Sequence, residues 1–275
     1  GAGLATGDFD NDGLVDVYAI SQDGPNRLFR QTSPWHFEDV TLAAGDLTGG
    51  DDKGTGAAFV DVNNDGWLDL FVAGYDAEVD DVAANYLGLQ NDATMPCLYQ
   101  NRGGRFKEVA RSVGIDRPLL PMGANFGDLD NDGFLDIYIG TGDPDYETIM
   151  PNVMLRNADG QHFEDVSRSG GFGHLQKGHG IAFADIDNDG QVDAFGCHDD
   201  ALSRMWRGSG EELVPAPEVI DLTDYALQDY PGNDHSGNYG TCWSDFDGDG
   251  DTDLIIAKCR QFINDPEDPR RINQI

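Results

Sequence analysis

Apolar residues in this chain come in short runs, and each run ends at a glycine-rich or acidic segment. Short runs that are rich in β-branched and aromatic residues and are bounded by turn residues are typical of β-strands. The runs follow one another in a fixed order: a small-residue strand A, an acidic loop, a β-rich strand B, and two further strands, C and D. The pattern therefore predicts an all-β protein built from repeated four-stranded units.

The predicted strands recur at equivalent places in each repeat. Strand A is predicted at Gly56–Val60 and Gly180–Ala184. Strand B is predicted at Val17–Ile20, Leu70–Val72, Ile137–Ile139 and Leu254–Ile256. Strand C is predicted at Asn26–Arg30, Cys97–Gln100, Val153–Arg156 and Arg204–Arg207. Strand D is predicted at Phe37–Thr41, Phe106–Ala110, Phe163–Ser167 and, in a weaker form, Val219–Thr223. Four short strands per period favour the blades of a β-propeller.

The acidic loop between strands A and B is a nine-residue segment that occurs five times, starting at residues 8, 61, 128, 185 and 245. These starts lie 53 to 67 residues apart, which is the length of one four-stranded blade. Position 6 is glycine in every copy, and positions 1, 3, 5 and 9 carry a side-chain oxygen. The residues at those four positions are Asp8, Asp10, Asp12, Asp16, Asp61, Asn63, Asp65, Asp69, Asp128, Asp130, Asp132, Asp136, Asp185, Asp187, Asp189, Asp193, Asp245, Asp247, Asp249 and Asp253.

This loop pattern predicts calcium binding. Ca²⁺ takes six to eight hard oxygen ligands at about 2.3–2.6 Å, and alternate side chains of a tight loop can converge on one ion. Positions 1, 3 and 5 would supply side-chain oxygens, position 7 a backbone carbonyl, and position 9 a closing carboxylate, while the glycine permits the sharp turn. We therefore expect up to five Ca²⁺ ions as cofactors. Mg²⁺ fits less well, because its octahedral shell keeps several waters.

An EF-hand is the main rival interpretation of such a loop, and the flanking sequence excludes it. That motif needs helices on both sides and a bidentate glutamate at position 12. Here position 12 is occupied by Ala19, Val72, Ile139, Gly196 and Ile256. The loops also differ among themselves, because Asn63 replaces a carboxylate in the second. The sequence predicts that the second loop binds calcium more weakly than the third.

The charge of the chain narrows its partners. It has 51 Asp and Glu against 17 Lys and Arg, a formal net charge of −34. Such a charge disfavours nucleic acid and anionic membranes as partners and makes a compact fold repel itself. Cations would reduce that repulsion, so calcium is predicted to stabilise the fold. No apolar run approaches the roughly 18 residues of a membrane helix, so no membrane span is predicted.

Cysteines and tryptophans are interpreted as packing residues. The four cysteines, at 97, 197, 242 and 259, have no CxxC spacing; buried thiols are the simpler interpretation, and a disulfide pair among them stays open. The four tryptophans, at 35, 67, 206 and 243, are predicted to pack in the core or between blades rather than to form platforms for sugars.

The acidic loops and their flanking strands resemble the FG-GAP/VCBS repeats of integrin α-subunit propellers. Asn26–Arg30 followed by Phe37–Gly45 is similar to the cartilage acidic protein (ASPIC/UnbV) branch of that family. The resemblance implies a seven- or eight-bladed ring, calcium on the loops between strands A and B, and an extracellular, cell-surface or periplasmic location. We expect a single propeller segment, about four and a half blades of a longer chain, with blades at 1–53, 54–121, 122–178, 179–237 and, incomplete, 238–275.

Recognition or catalysis is expected on the face opposite the acidic loops, where the long connections fall: residues 75–96, 143–151, 170–179, 224–239 and 259–271. The chemistry-bearing residues there are His174, Lys177, His179, His198, Asp199, Tyr225, Tyr230, His235 and Tyr239. The sequence contains no recognisable nucleophile or general-base motif. It therefore favours a calcium-binding adhesion or recognition module for a protein or glycan ligand. A carbohydrate-active enzyme of lyase or dehydratase type is the alternative, and a deep pocket on this face would support it.

Overall fold

The computed structural model of the chain describes residues 3–21, 24–49, 54–74, 79–119, 121–141, 151–170, 178–198, 203–210, 213–220 and 238–258. Within these ranges the protein is all-β, as predicted. It has eighteen strands, two short α-helices and one short 3₁₀-helix, and its strands form four antiparallel four-stranded sheets and one two-stranded sheet. Each sheet corresponds to one predicted repeat, and its strands are consistent with the blades of a propeller.

The strands pair in simple sequential order within each sheet. The first sheet contains β1 (Leu4–Gly7), β2 (Asp16–Ala19), β3 (Arg27–Ser33) and β4 (His36–Asp39). The second contains β5 (Gly54–Val60), β6 (Asp69–Gly74), β7 (Cys97–Asn101) and β8 (Phe106–Glu108). The third contains β9 (Pro121–Gly127), β10 (Asp136–Thr141), β11 (Val153–Asn157) and β12 (Phe163–Asp165). The fourth contains β13 (Gly178–Ala184), β14 (Asp193–His198), β15 (Arg204–Gly208) and β16 (Leu213–Pro215), and the fifth β17 (Asn238–Ser244) and β18 (Asp253–Lys258).

The register of the hairpins repeats from sheet to sheet. Position 10 of each acidic loop is the second residue of strand B, and in the first sheet Val17 pairs with Phe29 of strand C. In the same way Leu70 pairs with Tyr99, Ile137 with Leu155, and Ala194 with Trp206. Equivalent residues of different sheets can therefore be compared by position.

Strand D is shorter than predicted in three sheets and displaced in the fourth. In the first two sheets the predicted strand ends early because the chain turns into the helix α1 (Thr41–Ala44) and the 3₁₀-helix Ala110–Val113. The prediction of a fourth-sheet strand D at Val219–Thr223 was wrong. Leu213–Pro215 forms that strand, residues 217–220 form a turn and bend, and 221–223 lie outside the described residues. Leu213 is 5% exposed and supplies the apolar contact that phenylalanine supplies in the second and third sheets.

Contacts between Cα atoms divide the chain into two units, residues 1–121 with 157–164, and residues 122–156 with 165–275. In the first unit, one core joins side chains of the first two sheets, including Tyr18, Leu28, Leu70 and Tyr99. In the second unit, one core joins Tyr138 and Met154 to Ile181 and Trp206, and another joins Phe195 and Cys197 to Ile256. Apolar faces of successive sheets within a unit thus pack on each other.

The connection between β6 and β7 contains a short α-helix. This helix, α2, covers Val79–Tyr86, and Val82 is 4% exposed. No helix in the described part of the chain combines the length and apolar character needed to span a membrane.

Two packing predictions need correction. Trp206 is 1% exposed and Trp243 packs partly buried against the core, as predicted, but Trp35 is 89% exposed. Trp35 lies in the tight turn between β3 and β4, where its backbone φ is 65°. Cys197 is a buried thiol as expected, whereas Cys242 is exposed and Cys259 lies outside the described residues.

Candidate metal centre

The turn of each acidic loop uses two residues in the left-handed backbone region. The glycine at position 6 has φ between 85° and 97° in all five loops, which confirms the predicted need for glycine. Position 4 also has a positive φ, 55° to 58° at Asn11, Asn64, Asn131 and Asn188 and 78° at Gly248. Asparagine and glycine are the residues that tolerate this region best. The left-handed conformation at position 4 was not predicted, although only asparagine and glycine occur at that position in the five loops.

The carboxylate at position 1 closes the turn. In the first loop, Asp8 accepts hydrogen bonds from the amides of Asp12 and Gly13 at 3.1 and 2.8 Å. The position 5 carboxylate then accepts one from the amide of position 7, as in Asp12 with Leu14 at 2.9 Å. The same bonds recur in the other four loops with N to O distances of 2.8 to 3.2 Å. The loops therefore hold one geometry through five different sequences.

The carboxylate at position 9 fastens the loop to the sheet. Asp16 is fully buried and accepts one hydrogen bond from the amide of Phe9 at 3.1 Å and another from the amide of Gln31, on strand C, at 2.7 Å. Asp69 makes the same pair of bonds with Val62 and Asn101, and Asp193 with Ile186 and Gly208. Position 9 thus has a structural role in addition to any role as a ligand.

Side-chain oxygens converge at four of the described loops. Three carboxylates in each lie with one oxygen apiece within 4.8 Å of one another: Asp8, Asp10 and Asp16; Asp128, Asp130 and Asp132; Asp185, Asp187 and Asp193; and Asp245, Asp247 and Asp253. Oδ1 of Asp10 is buried and has no hydrogen-bond partner among the described residues. In the second loop, Asn63 is folded into the turn, where its Nδ2 donates to Asp65 at 3.1 Å and its Oδ1 accepts from the Asp65 amide at 3.1 Å.

Burial makes the ionised form of the carboxylates in these clusters less favourable. Burial, and to a smaller extent the neighbouring carboxylates, raises the pKa of Asp16 and of Asp69 to about 6, although two backbone amides act in the opposite direction. Burial is also the main cause of the raised pKa of Asp10, Asp130 and Asp193. Ionised carboxylates at these positions are thus destabilised in the folded protein. A bound cation would remove that cost.

The donor set fits calcium well. Every side chain in the clusters offers an oxygen, and the loops contain neither histidine nor cysteine. Hard oxygen ligands select Ca²⁺ or Mg²⁺ over zinc and copper, and a set of several carboxylates from one loop suits the larger ion. The orphaned Asp10 oxygen is the kind of buried acceptor that a cation would satisfy.

Neighbouring loops are joined by asparagine side chains. Nδ2 of Asn11, at position 4 of the first loop, donates to the carbonyl of Gly66 in the second loop at 3.0 Å. Nδ2 of Asn131 donates likewise to the carbonyl of Gly190 in the fourth loop at 2.8 Å. Asn101, at the end of a strand C, binds the carbonyl of Phe9 in the preceding loop at 2.7 Å. The first loop is therefore linked directly to the second, and the third to the fourth.

Basic residues on strand C contact the loops, which the sequence analysis did not predict. Nε of Arg30 lies 2.6 Å from Oδ2 of Asp10, and its Nη2 lies 2.9 Å from Oδ2 of Asp12. In the fourth sheet, Nη1 of Arg207 lies 2.9 Å from Oδ2 of Asp187. A fixed side-chain cation therefore sits against the carboxylates of positions 3 and 5.

Most of the residues predicted for the opposite face cannot be placed. Residues 174, 177, 199, 225, 230 and 235 lie outside the described residues, and of His179, His198 and Tyr239 only the backbone, in strands β13, β14 and β17, is described. Neither the recognition surface nor the alternative enzymatic site on that face is tested by the described part of the chain.

Repeated four-stranded sheets, each with an oxygen-rich loop between its first two strands, define a repeat protein of the β-propeller type. Residues 8–72 and 79–139 match the FG-GAP-like repeat family. The matched residues contain the first three acidic loops.

The chain is also similar to three vertebrate proteins named cartilage acidic protein 1. It is 27% identical to the one from Xenopus tropicalis over 214 residues, 74% of this chain. It is 23% identical to those from Homo sapiens and Mus musculus over 216 residues, 76% of this chain. The aligned part spans only about 30% of the length of these relatives. The expected kinship with the cartilage acidic protein branch is confirmed.

Proposed function

We propose that this chain is a calcium-binding scaffold of an extracellular recognition or adhesion module. Its twenty predicted loop residues would hold up to five Ca²⁺ ions, with the carbonyl of position 7 completing each site. The observation that carries the proposal is the convergence of carboxylate oxygens within 4.8 Å at the same place in four described repeats. Convergence of three carboxylates in four separate sheets, always including positions 1 and 3, favours a ligand over chance crowding of exposed acids.

The role of the ion would be structural. It would offset the mutual repulsion of carboxylates that burial and like charge already destabilise, and so stabilise the hairpins and the links between them. Calcium sites of extracellular modules have dissociation constants of about 10⁻⁴ to 10⁻³ M, matched to the abundant calcium outside cells. Half-exposed loops of this kind suit that setting, and the name of the relatives refers to cartilage.

Recognition is the second part of the proposal. The match to the FG-GAP-like repeat family supports a module that binds a protein partner, and a glycan is the other ligand class that the sequence favours. The strongly acidic composition, with a net charge of −34, supports partners other than polyanions. The connections opposite the acidic loops would carry the contact surface, because the loops themselves must keep a fixed geometry.

Substitution at position 3 tests calcium binding. Asp130→Asn removes one ligand charge from the third loop, and the turn should tolerate it because Asn63 holds the same position in the second loop. Calorimetric titration with Ca²⁺ should show one site weakened by roughly tenfold, the effect of one charge on ligand affinity. Asp116→Asn, at an exposed residue outside the loops, is the matched control and should leave all sites unchanged. Absence of calcium binding in the unaltered chain would refute the proposal.

A further inference from the structure

One residue of strand C varies together with position 3 of the acidic loop. It directly follows the residue that pairs with position 10, so the register makes Arg30, Gln100, Arg156 and Arg207 equivalent. The three sheets with arginine have aspartate at position 3, namely Asp10, Asp130 and Asp187. The sheet with Gln100 has Asn63. Two neutral amides thus replace an oppositely charged pair at the same two positions.

The contacts explain this pairing. Arg30 bridges Asp10 and Asp12, and Arg207 pairs with Asp187. Arg156 exerts an attractive electrostatic effect on Asp130 that lowers its pKa against the larger effect of burial. In the second sheet, Gln100 accepts hydrogen bonds from Arg102 at 2.9 and 3.3 Å, and the ion pairs of the described residues include none with the carboxylates of that loop.

The net charge of the four sites is consequently equal. Four carboxylates and one guanidinium give −3 in the first, third and fourth sites. Three carboxylates and a neutral glutamine also give −3 in the second site. The charge of the loop residues alone therefore differs from the charge of the complete site, which includes the strand C residue.

We propose that the strand C residue is a built-in counter-ion that sets the calcium affinity of each loop. Nη2 of Arg30 donates a hydrogen bond to Oδ2 of Asp12, and the Leu14 amide donates one to Oδ1 of the same carboxylate. An ion that binds Asp12 therefore competes with the guanidinium. Arg30 also leaves Oδ1 of Asp10 open, which keeps one oxygen available to the ion. The arginine lowers the affinity for a divalent cation and limits carboxylate repulsion when calcium is scarce. This inference rests on the proposed calcium binding and adds its regulation.

The strand C residue changes the expected calcium affinity of the second loop relative to the third. Counting the loop alone, the second site should bind calcium more weakly than the third. With the strand C residue included, the two sites carry the same charge, and their calcium affinities should be similar.

Terbium luminescence can measure cation binding at one loop at a time. Tb³⁺ replaces Ca²⁺ at oxygen sites and is excited by a nearby indole, and Trp67 already stands at position 7 of the second loop. The double variant Leu14→Trp with Trp67→Phe moves this indole to position 7 of the first loop. In that background, displacement of Tb³⁺ by Ca²⁺ measures the calcium affinity of the first site, and the parent signal establishes that the site binds a cation at all.

Three substitutions in the reporter background test the counter-ion. Arg30→Gln should tighten calcium binding by about tenfold, the effect of removing one nearby positive charge. Asp10→Asn with Arg30→Gln recreates the pair Asn63 and Gln100, and should return the affinity to within about threefold of the parent in a double-mutant cycle. Arg27→Gln is the control, because Arg27 lies on the same strand but pairs with Asp39, 3.1 Å away. It should change the affinity by less than twofold.

The outcomes separate the two proposals. If the parent reporter binds neither Tb³⁺ nor Ca²⁺ at the first loop, the proposed function itself fails. If the parent binds and Arg30→Gln leaves the affinity unchanged or weaker, the counter-ion proposal is overturned alone. Arg30→Gln in the otherwise unaltered chain gives a reporter-free check. Its metal-free melting temperature should fall and its rise on adding calcium should exceed that of the parent, and the opposite pattern would also overturn the counter-ion proposal.

Discussion

The aspartate at position 9 shows how a single residue serves two purposes in this protein. Asp16 and Asp69 are fully buried and accept backbone hydrogen bonds on both oxygens. Their position in the sequence indicated a calcium ligand, but the bonds from the amide of loop position 2 and from strand C make them part of the hairpin as well. Losing either side chain should therefore harm the fold even without metal.

The raised pKa values of these residues predict an unusual pH dependence for the metal-free protein. Both carboxyls have a pKa of about 6 in the folded chain, against an ordinary value of 3.8. The folded state thus binds protons more tightly than the unfolded state between these values. The stability that they contribute is full below pH 3.8 and is lost as the pH rises through 6. The melting temperature in metal-free buffer should therefore decrease from pH 5 to pH 7.

Calcium provides the contrast for that measurement. With a cation bound, the carboxylates are held in the ionised form, so saturating Ca²⁺ should remove or reverse the decrease between pH 5 and pH 7. A melting temperature that rises over this interval in rigorously metal-free buffer would contradict the assigned burial of Asp16 and Asp69.

Pairs of hairpins, rather than single hairpins, form the next level of organisation. The position 4 asparagine adopts the left-handed conformation and donates to the next loop, as Asn131 does to the Gly190 carbonyl at 2.8 Å. Asn131→Ala loses this bond and places an unfavourable side chain in that conformation. We expect a loss of about 1–3 kcal/mol in the free energy of unfolding.

Glycine is the matched replacement for Asn131. Gly248 occupies position 4 of the fifth loop with a φ of 78°, so the turn accepts glycine. Asn131→Gly should lose only the hydrogen bond and cost about 1 kcal/mol or less. Urea unfolding of both variants compares the two effects. Equal stability of the alanine variant and the parent would show that the link between loops contributes nothing.

The sequence predicted the elements whose signals are periodic and local. Strands A, B and C were predicted because their apolar runs recur next to an acidic loop whose residue pattern is constant. Strand D of the fourth sheet was missed because Leu213–Pro215 lacks the phenylalanine that strand D contains in the other three sheets. The exposure of Trp35 was missed because its hydrophobicity favoured burial, whereas the residue lies in the tight turn between β3 and β4.

The site was predicted as far as it is contiguous in sequence. The nine-residue pattern identified the converging oxygens, but Arg30 lies 18 residues after Asp12, and only the strand register brings them together. The signal was present in the comparison of repeats, since arginine or glutamine stands at one strand C position in four sheets. Its meaning required knowing which loop residue it faces.

At the scale of the whole molecule, charge is the dominant feature. A net charge of −34 on 275 residues makes the folded state repel itself, and much of that charge is concentrated in the five acidic loops. The counter-ions on strand C offset part of it. Divalent cations would offset more, because they bind where the carboxylates are closest together. Calcium is therefore expected to be a component of the folded state.

Thermal unfolding with and without calcium shows whether calcium is part of the folded state. The chain should be stripped of metal, verified by elemental analysis, and melted with either 2 mM Ca²⁺, 2 mM Mg²⁺ or chelator at one ionic strength. With dissociation constants of about 10⁻⁴ to 10⁻³ M, 2 mM Ca²⁺ that binds only the folded state stabilises it by roughly 0.6 to 1.8 kcal/mol per site. The account predicts a large rise in melting temperature with calcium and a much smaller rise with magnesium. The same melting temperature in calcium and in chelator, for protein shown to be metal-free, would contradict it.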